Sequence, residues 1–324
     1  MNFGILSTAN INGKFLDGAR AAEGIEVLAV ASRSSAAAQR YADEQRIPRA
    51  YGSYDDLLGD VDVQAIYIPL PNSMHVPWTL RALEAGKHVL CEKPLTRHRA
   101  DAERVVAAAA QHGLQVSEAF MYRHHPQIAR LVELVSGGAV GPLRAVRGHF
   151  SFNLPDGENV RLDADLDGGA LMDVGCYCLS ATRLLAGEPE LVTAVSHVGA
   201  GGVDTRFAAA LSLPGGVLAH FDCGFDFAFR HELEVVGDSG TLLLRDPFHG
   251  RAAGIEVRDG NGVRTIEIES ADPYRLQAEN FAAAVQGRAP LLIGGADMIA
   301  QAAAIEALYE SAASGRAVAP AVQA

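Results

Sequence analysis

Up to about residue 120, short aliphatic runs alternate with longer stretches of helical period, the rhythm of βαβ units around a parallel sheet. Phe3 to Leu6, Glu26 to Ser32, Ala65 to Ile68, His88 to Cys91 and Gln115 to Ser117 read as strands. Between them, Ile11 to Ala22, Ser35 to Gln45, Val76 to Ala85 and Arg99 to Gln111 are Ala-rich and amphipathic, as covering helices are. This half is expected to be a doubly wound α/β sheet. After Pro126 and a helical stretch from Gln127 to Val135, the pattern shifts to longer alternating strands: Leu143 to Leu154, Leu191 to His197, Phe207 to Leu213, Val217 to Phe227 and Glu232 to Val236. Pro214-Gly215-Gly216 and Asp259-Gly260-Asn261-Gly262 are hairpin turn signals. A helix from Gly169 to Leu185 interrupts this half, and two more, Tyr274 to Val285 and Ala296 to Ala313, close it. The pattern predicts two domains, 1–122 and 123–324, the second α+β, with the tail Ala317 to Ala321 frayed.

The composition supports two packed cores: 49% of the 324 residues are apolar and 20% charged. Asp plus Glu number 39 against 27 Lys plus Arg, a net charge of −12, whereas a surface that neutralises phosphates needs the opposite excess. Nucleic acid is not an expected partner. Met1 to Leu6 enters a strand without the basic segment, apolar core or cleavage site of an export signal. No apolar stretch reaches the roughly 18 residues of a membrane helix, so a cytoplasmic protein with no membrane partner is expected. Cys91, Cys176, Cys178 and Cys223 are too few and scattered for a disulfide framework, and read as reduced core thiols.

The candidate chemistry begins at the end of the first strand. Gly4-Ile5-Leu6-Ser7-Thr8-Ala9-Asn10-Ile11 runs into a helix, the context in which helix N-terminal N–H groups receive a pyrophosphate, although Ser7 and Ala9 stand where glycines are usual. A plain small-residue turn is the competing reading. The second strand ends in Ser32-Arg33-Ser34, with no acid to accept from a ribose 2′-hydroxyl; a guanidinium between two hydroxyls suits a 2′-phosphate and points to NADP. A solvated strand end is the alternative there. Further cofactor contacts are expected at Pro69, Leu70, Asn72 and His75, after the strand Ala65 to Ile68, and at Glu92 and Lys93. Lys93 follows a strand at the carboxyl edge of the sheet, where an ammonium can donate to a carbonyl or alkoxide oxygen. Asp173 and Tyr177 lie four apart on a helix, hence on one face, and a phenol beside a carboxylate can share a proton network. Arg123, in Met121-Tyr122-Arg123-His124-His125-Pro126, is a candidate for substrate or cofactor; Arg161 and Tyr274 are candidates for the cofactor. The adjacent His124 and His125 point to opposite sides of an extended segment and have no third ligand at metal spacing, so no metal is expected.

Together, the degenerate βα turn, Glu92-Lys93-Pro94, Glu118-Ala119-Phe120-Met121-Tyr122-Arg123 and Gly168-Gly169-Ala170-Leu171-Met172-Asp173-Val174-Gly175-Cys176-Tyr177 resemble the Gfo/Idh/MocA oxidoreductases over nearly the whole chain. The resemblance implies an N-terminal Rossmann dinucleotide-binding domain, then a C-terminal α+β domain whose open, mostly antiparallel sheet often forms an oligomer interface, here in a homodimer or homotetramer. It also implies hydride transfer between NADP and a hydroxyl or carbonyl carbon of a sugar, sugar derivative or cyclic diol. Lys93 then matches the family's catalytic lysine, Asp173 its helix aspartate and Tyr177 the acid/base position, with Lys93, Arg123, Asp173 and Tyr177 meeting the substrate. Many members carry His at that last position, so Tyr177 sets this chain nearer the dihydrodiol dehydrogenases and NADP-dependent xylose dehydrogenases. A keto-deoxysugar reductase acting on nucleotide sugars and a non-catalytic, cofactor-sensing regulator stay open as alternatives.

Overall fold

A computed structural model describes residues 1–155, 157–251 and 254–321. The first part of the chain alternates strand and helix: β1 (Asn2–Leu6), α1 (Asn12–Ala21), β2 (Glu26–Ala31), α2 (Ser35–Gln45), β3 (Arg49–Tyr51), α3 (Tyr54–Leu58), β4 (Ala65–Ile68), α4 (Asn72–Glu84), β5 (His88–Cys91), α5 (Arg99–His112) and β6 (Val116–Glu118). The strands form a parallel sheet in the order β3-β2-β1-β4-β5-β6. Its chain order reverses between β1 and β4, and in such sheets ligands bind outside the strand carboxyl ends beside that reversal. Short β3 and α3 lie where the sequence pattern gave no element, because three to five residues are too few to establish a period.

The remainder holds α6 (Pro126–Ser136), β7 (Leu143–Asn153), α7 (Cys176–Ala186), β8 (Leu191–Val198), β9 (Asp204–Leu213), β10 (Val217–Gly224), β11 (Asp226–Gly237), β12 (Gly240–Leu244), β13 (Gly254–Asp259), β14 (Gly262–Glu267), α8 (Pro273–Val285) and α9 (Gly295–Ser314). Eight strands form one sheet in the order β14-β13-β12-β11-β7-β10-β9-β8, antiparallel except for the β7–β10 pair. The open, mostly antiparallel sheet expected from the resemblance is therefore present. Both turn signals fall in hairpins, Pro214 to Gly216 between β9 and β10 and Asp259 to Gly262 between β13 and β14. Helix α7 lies on β7 where Gly148 leaves room for Cys178. All four cysteines are free and buried.

Two findings correct the sequence reading. The compact units are Met1–Met121 with Asp272–Ile299, and Tyr122–Ala271 with Ala300–Ala324, so 123–324 is not one domain. Helix α8 returns to the first unit because Phe281 enters its core beside Phe3 and Phe15, and because Gly18 of α1 lets the Tyr274 and Arg275 backbone approach within 2.7 Å of where a Cβ would stand. The tail is not simply frayed: Val318 exchanges both backbone hydrogen bonds with Val192 at the sheet edge, at 2.8 and 2.9 Å.

Candidate active site

In the first unit, the β1–α1 turn is held open by its own side chains. Ser7 takes a φ of +132°, a conformation that L side chains rarely adopt; its Oγ accepts from the Ala9 N–H at 3.2 Å and donates to the Pro69 carbonyl at 3.3 Å. Asn12 Nδ2 donates to the Ser7 carbonyl at 2.8 Å. The N–H groups of Asn12, Gly13 and Lys14 already turn back to Ala9, Asn10 and Ile11, whereas those of Thr8, Asn10 and Ile11 have no acceptor among the described residues. Three backbone donors at a helix start without an acid in its first turn fit a pyrophosphate. Ser7 thus does by hydrogen bonding what a glycine does by lacking a side chain.

At the end of β2, Arg33 is exposed and Ser32 donates its N–H to the Tyr51 carbonyl. The Ser34 oxygen caps α2, accepting from Ala37 N–H. The Pro69 carbonyl accepts from Ser7, and the Leu70 carbonyl lies against His75. His75 is buried, its Nδ1 2.8 Å from the Pro94 carbonyl and its Nε2 2.8 Å from that of Leu70. Burial pushes this imidazole down to about 4, against the pull of those carbonyls; the neutral ring has a single N–H and donates it to one of the two, packed between the βα loops that carry them. Asn72, half-buried, opens α4. Glu92 is fixed by the Tyr67 hydroxyl at 2.6 Å and receives the Lys93 N–H at 3.2 Å; Lys93 itself is half-buried. Tyr274 begins α8 under the Asp272 cap, in the nucleotide-binding type of unit, although the sequence division had separated it from that unit.

In the second unit, Asp173 lies within a π-helical turn, Leu171–Gly175, and Tyr177 follows on α7. Single π-turns inside helices recur at functional sites, and this one replaces the plain helical turn expected from the spacing. Its glycines are explained by packing. A Cβ at Gly168 would meet the Arg161 carbonyl oxygen at 2.5 Å; one at Gly169, with φ +123°, would meet Asp204 Oδ1 at 2.3 Å; one at Gly175 would meet Cys223 Sγ at 2.7 Å. Asp204 then anchors the turn, accepting from Leu171 N–H at 2.7 Å and the Tyr309 hydroxyl at 2.9 Å. Arg161, in a short 3₁₀ turn capped by Asn159, donates through Nε to Asp173 Oδ2 at 2.7 Å. The Tyr177 ring is walled by Tyr122, Phe150 and Phe248, with centroids 5.7, 5.6 and 5.3 Å away. Arg123 lies in the 3₁₀ turn Met121–His124, and its charge together with burial, the larger cause, pushes His124 down to about 4. His125 Nδ1 caps α6 through Gln127 N–H.

Arg161, Asp173 and Tyr177 are thus organised within one unit, and the pyrophosphate-type turn, Arg33, Glu92, Lys93 and Tyr274 within the other. Asp204 and the wall of Phe150 and Phe248 went unnoticed in the sequence, since no local motif marks residues that converge from separate strands and turns. Among the described residues no helix is long and apolar enough to cross a membrane.

A doubly wound nucleotide-type sheet joined to a unit that presents a supported Tyr and Asp defines a dinucleotide-dependent oxidoreductase. The chain belongs to the Gfo/Idh/MocA oxidoreductases: residues 1–120 match the oxidoreductase family with the NAD-binding Rossmann fold, and residues 128–243 match the Gfo/Idh/MocA C-terminal domain. It is 40% identical over 323 residues, 98% of this chain and 99% of the other, to an NADP(+) D-xylose 1-dehydrogenase of Haloferax volcanii. With the trans-1,2-dihydrobenzene-1,2-diol dehydrogenase of Bos taurus it shares 36% identity over 251 residues, 76% of this chain and 75% of that one. A 3-ketoreductase from Actinomadura kijaniata, solved with NADP and TDP-benzene, matches with a TM-score of 0.91 at 31% identity, covering 96% of this chain and 97% of that chain.

Proposed function

We propose that the protein is an NADP-dependent dehydrogenase or reductase acting on a CH–OH or C=O carbon of a sugar, sugar derivative or cyclic diol. The observation that carries this reading is the β1–α1 turn with three unclaimed N–H donors, together with a basic Arg33 in place of an acid after β2. When bound, the nicotinamide supplies the hydride acceptor or donor. The N–H groups of Thr8, Asn10 and Ile11 hold the pyrophosphate, Arg33 pairs with the 2′-phosphate, and Glu92 fixes the backbone that carries Lys93. Lys93 donates to the reacting oxygen, and Tyr177 takes the hydroxyl proton in oxidation or returns it in reduction. Asp173, paired with Arg161, stands in the turn that leads into the helix of Tyr177.

The test is a pair of variants. Lys93→Met and Tyr177→Phe should each cut turnover by about 10² or more while NADPH affinity stays within a few-fold, the scale of a lost acid/base group. Unchanged turnover in both would remove the assignment.

A second reading, reduction of a keto-deoxysugar carried on a nucleotide, is favoured by the likeness to the ketoreductase solved with TDP-benzene. It uses the same residues in the opposite direction. A purely sensing role is disfavoured by the retained Lys93, Asp173 and Tyr177, which a sensor does not require. The protein is further proposed to be cytoplasmic and to form a homodimer or homotetramer; for the assembly alone, Val195 and Leu218 stand 69% and 62% exposed on the sheet of the second unit.

A further inference from the structure

We propose that His231, Asp246 and His249 form a binding site for a zinc-class divalent metal ion. His231 projects from β11, and the turn after β12, Asp246-Pro247-Phe248-His249, brings the other two groups to it. The two Nδ1 atoms are 3.2 Å apart, and Asp246 Oδ1 lies 3.5 Å from that of His231 and 3.7 Å from that of His249. Ligand atoms around tetrahedral zinc, bonded at about 2.0 to 2.1 Å, stand about 3.3 Å from one another. A point about 2.0 Å from all three atoms exists here, within bonding distance of zinc.

The chemistry of the donors agrees with the spacing. Imidazole nitrogen and carboxylate oxygen are the donor types that zinc takes. Asp246 is oriented before any ion arrives: Oδ2 accepts from Arg251 N–H at 2.8 Å and Oδ1 from His249 N–H at 3.1 Å. Its carbonyl accepts from Gln127 Nε2 at 2.8 Å, and Gly250, at φ +69°, lets the turn lie against the His125 ring. The side chains of His231 and Asp246 are 11% and 7% exposed and that of His249 28%, so a fourth ligand can enter from the His249 side. Two imidazoles and one carboxylate select zinc, cobalt or nickel over magnesium or calcium.

The ion has a structural consequence. Phe248, between two of its ligands, stacks on Phe150 at 5.3 Å and packs on Tyr177 at 5.3 Å, so metal at this turn stiffens the wall behind the proposed acid/base. The role is one of positioning, distinct from the hydride chemistry.

The test uses the full-length, untagged protein, stripped with chelator and dialysed. Zinc chloride is titrated by calorimetry, cobalt(II) by absorbance, and metal retained after desalting is counted per chain. Expected are one equivalent retained, tetrahedral cobalt(II) bands, and a melting midpoint raised by zinc but not by magnesium. His249→Gln, the most exposed of the three and therefore the least damaging to folding, should weaken zinc binding at least tenfold and abolish the cobalt bands; His231→Asn should repeat the loss. No retained metal in the parent protein, or equal retention and equal bands in the His249→Gln variant with its melting midpoint intact, would overturn the site. In that outcome the three groups are a hydrogen-bonded triad only.

Discussion

Arg33 follows β2 in the place where an acid would accept from a ribose hydroxyl, and its guanidinium offers the opposite charge to the same position. A charge-assisted pair with a 2′-phosphate contributes on the order of 1.5 to 3 kcal/mol, which is roughly ten- to a hundredfold in affinity. Arg33→Ala should therefore weaken NADPH by at least about tenfold and leave NADH within twofold, read by fluorescence titration of each. Equal losses for both cofactors would show that Arg33 serves general binding and not discrimination. The proposal could be made from sequence because it rests on adjacent residues, Ser32 to Ser34. The role of His75 was not legible: a histidine in a cofactor loop looks the same in sequence whether it reaches a ligand or is sealed between the Leu70 and Pro94 carbonyls. Ser34 was half legible, its hydroxyl being taken by the start of α2.

The turn that carries Asp173 is built around residues without side chains. Gly169 combines φ +123° with an Asp204 oxygen 2.3 Å from where a Cβ would stand, so Gly169→Ala is strained by conformation and by contact together. It should lower stability by about 1 to 3 kcal/mol and displace Asp204 from Leu171 N–H and the Tyr309 hydroxyl. The readouts are chemical denaturation and turnover, and both should fall; a variant as stable and active as the parent would contradict the anchoring role of Asp204. The glycines were visible as a motif, and the helix, π-turn included, was placed within about two residues. The π-turn itself was not visible, since a wider turn leaves no periodic signature in five residues. Nor were β12 to β14, whose short alternating runs, such as Gly240–Leu244, are no longer than many loops.

Across the whole chain, two imidazoles, His75 buried and His124 half-buried, give the protein a defined acid limb. His75 and His124 are both pushed from 6.5 down to about 4 by burial, so between these values the unfolded chain binds a proton at each that the native state does not. Stability is therefore fully present above pH 6.5 and falls as the pH is lowered toward 4. At pH 5 the loss is about 2 kcal/mol for each imidazole. Denaturation midpoints at pH 7 and pH 5 should show the fall, and His124→Gln should reduce it by about half of that two-histidine part. A midpoint unchanged between the two pH values in the parent would refute neutral burial. The division of the chain is the other feature that required the structure. A helix pattern at Tyr274 to Val285 states that an apolar face must be covered, not by which unit, and only the core beside Phe3 and Phe15 decides it for Phe281. The family resemblance, in contrast, was available from motifs distributed in order along nearly all of the chain.

The most direct test of the central claim is hydride transfer itself. The purified protein is mixed with NADP⁺ and a panel of aldoses, anhydrosugars, inositols and cyclic diols, and with NADPH and keto sugars, free and nucleotide-linked, while the reduced-nicotinamide absorbance is followed. The account predicts growth of that absorbance with one polyol class, or its decay with one keto-sugar class, and no change for Tyr177→Phe on the same timescale. Tight NADPH binding without a change in absorbance on any member of either panel would contradict it.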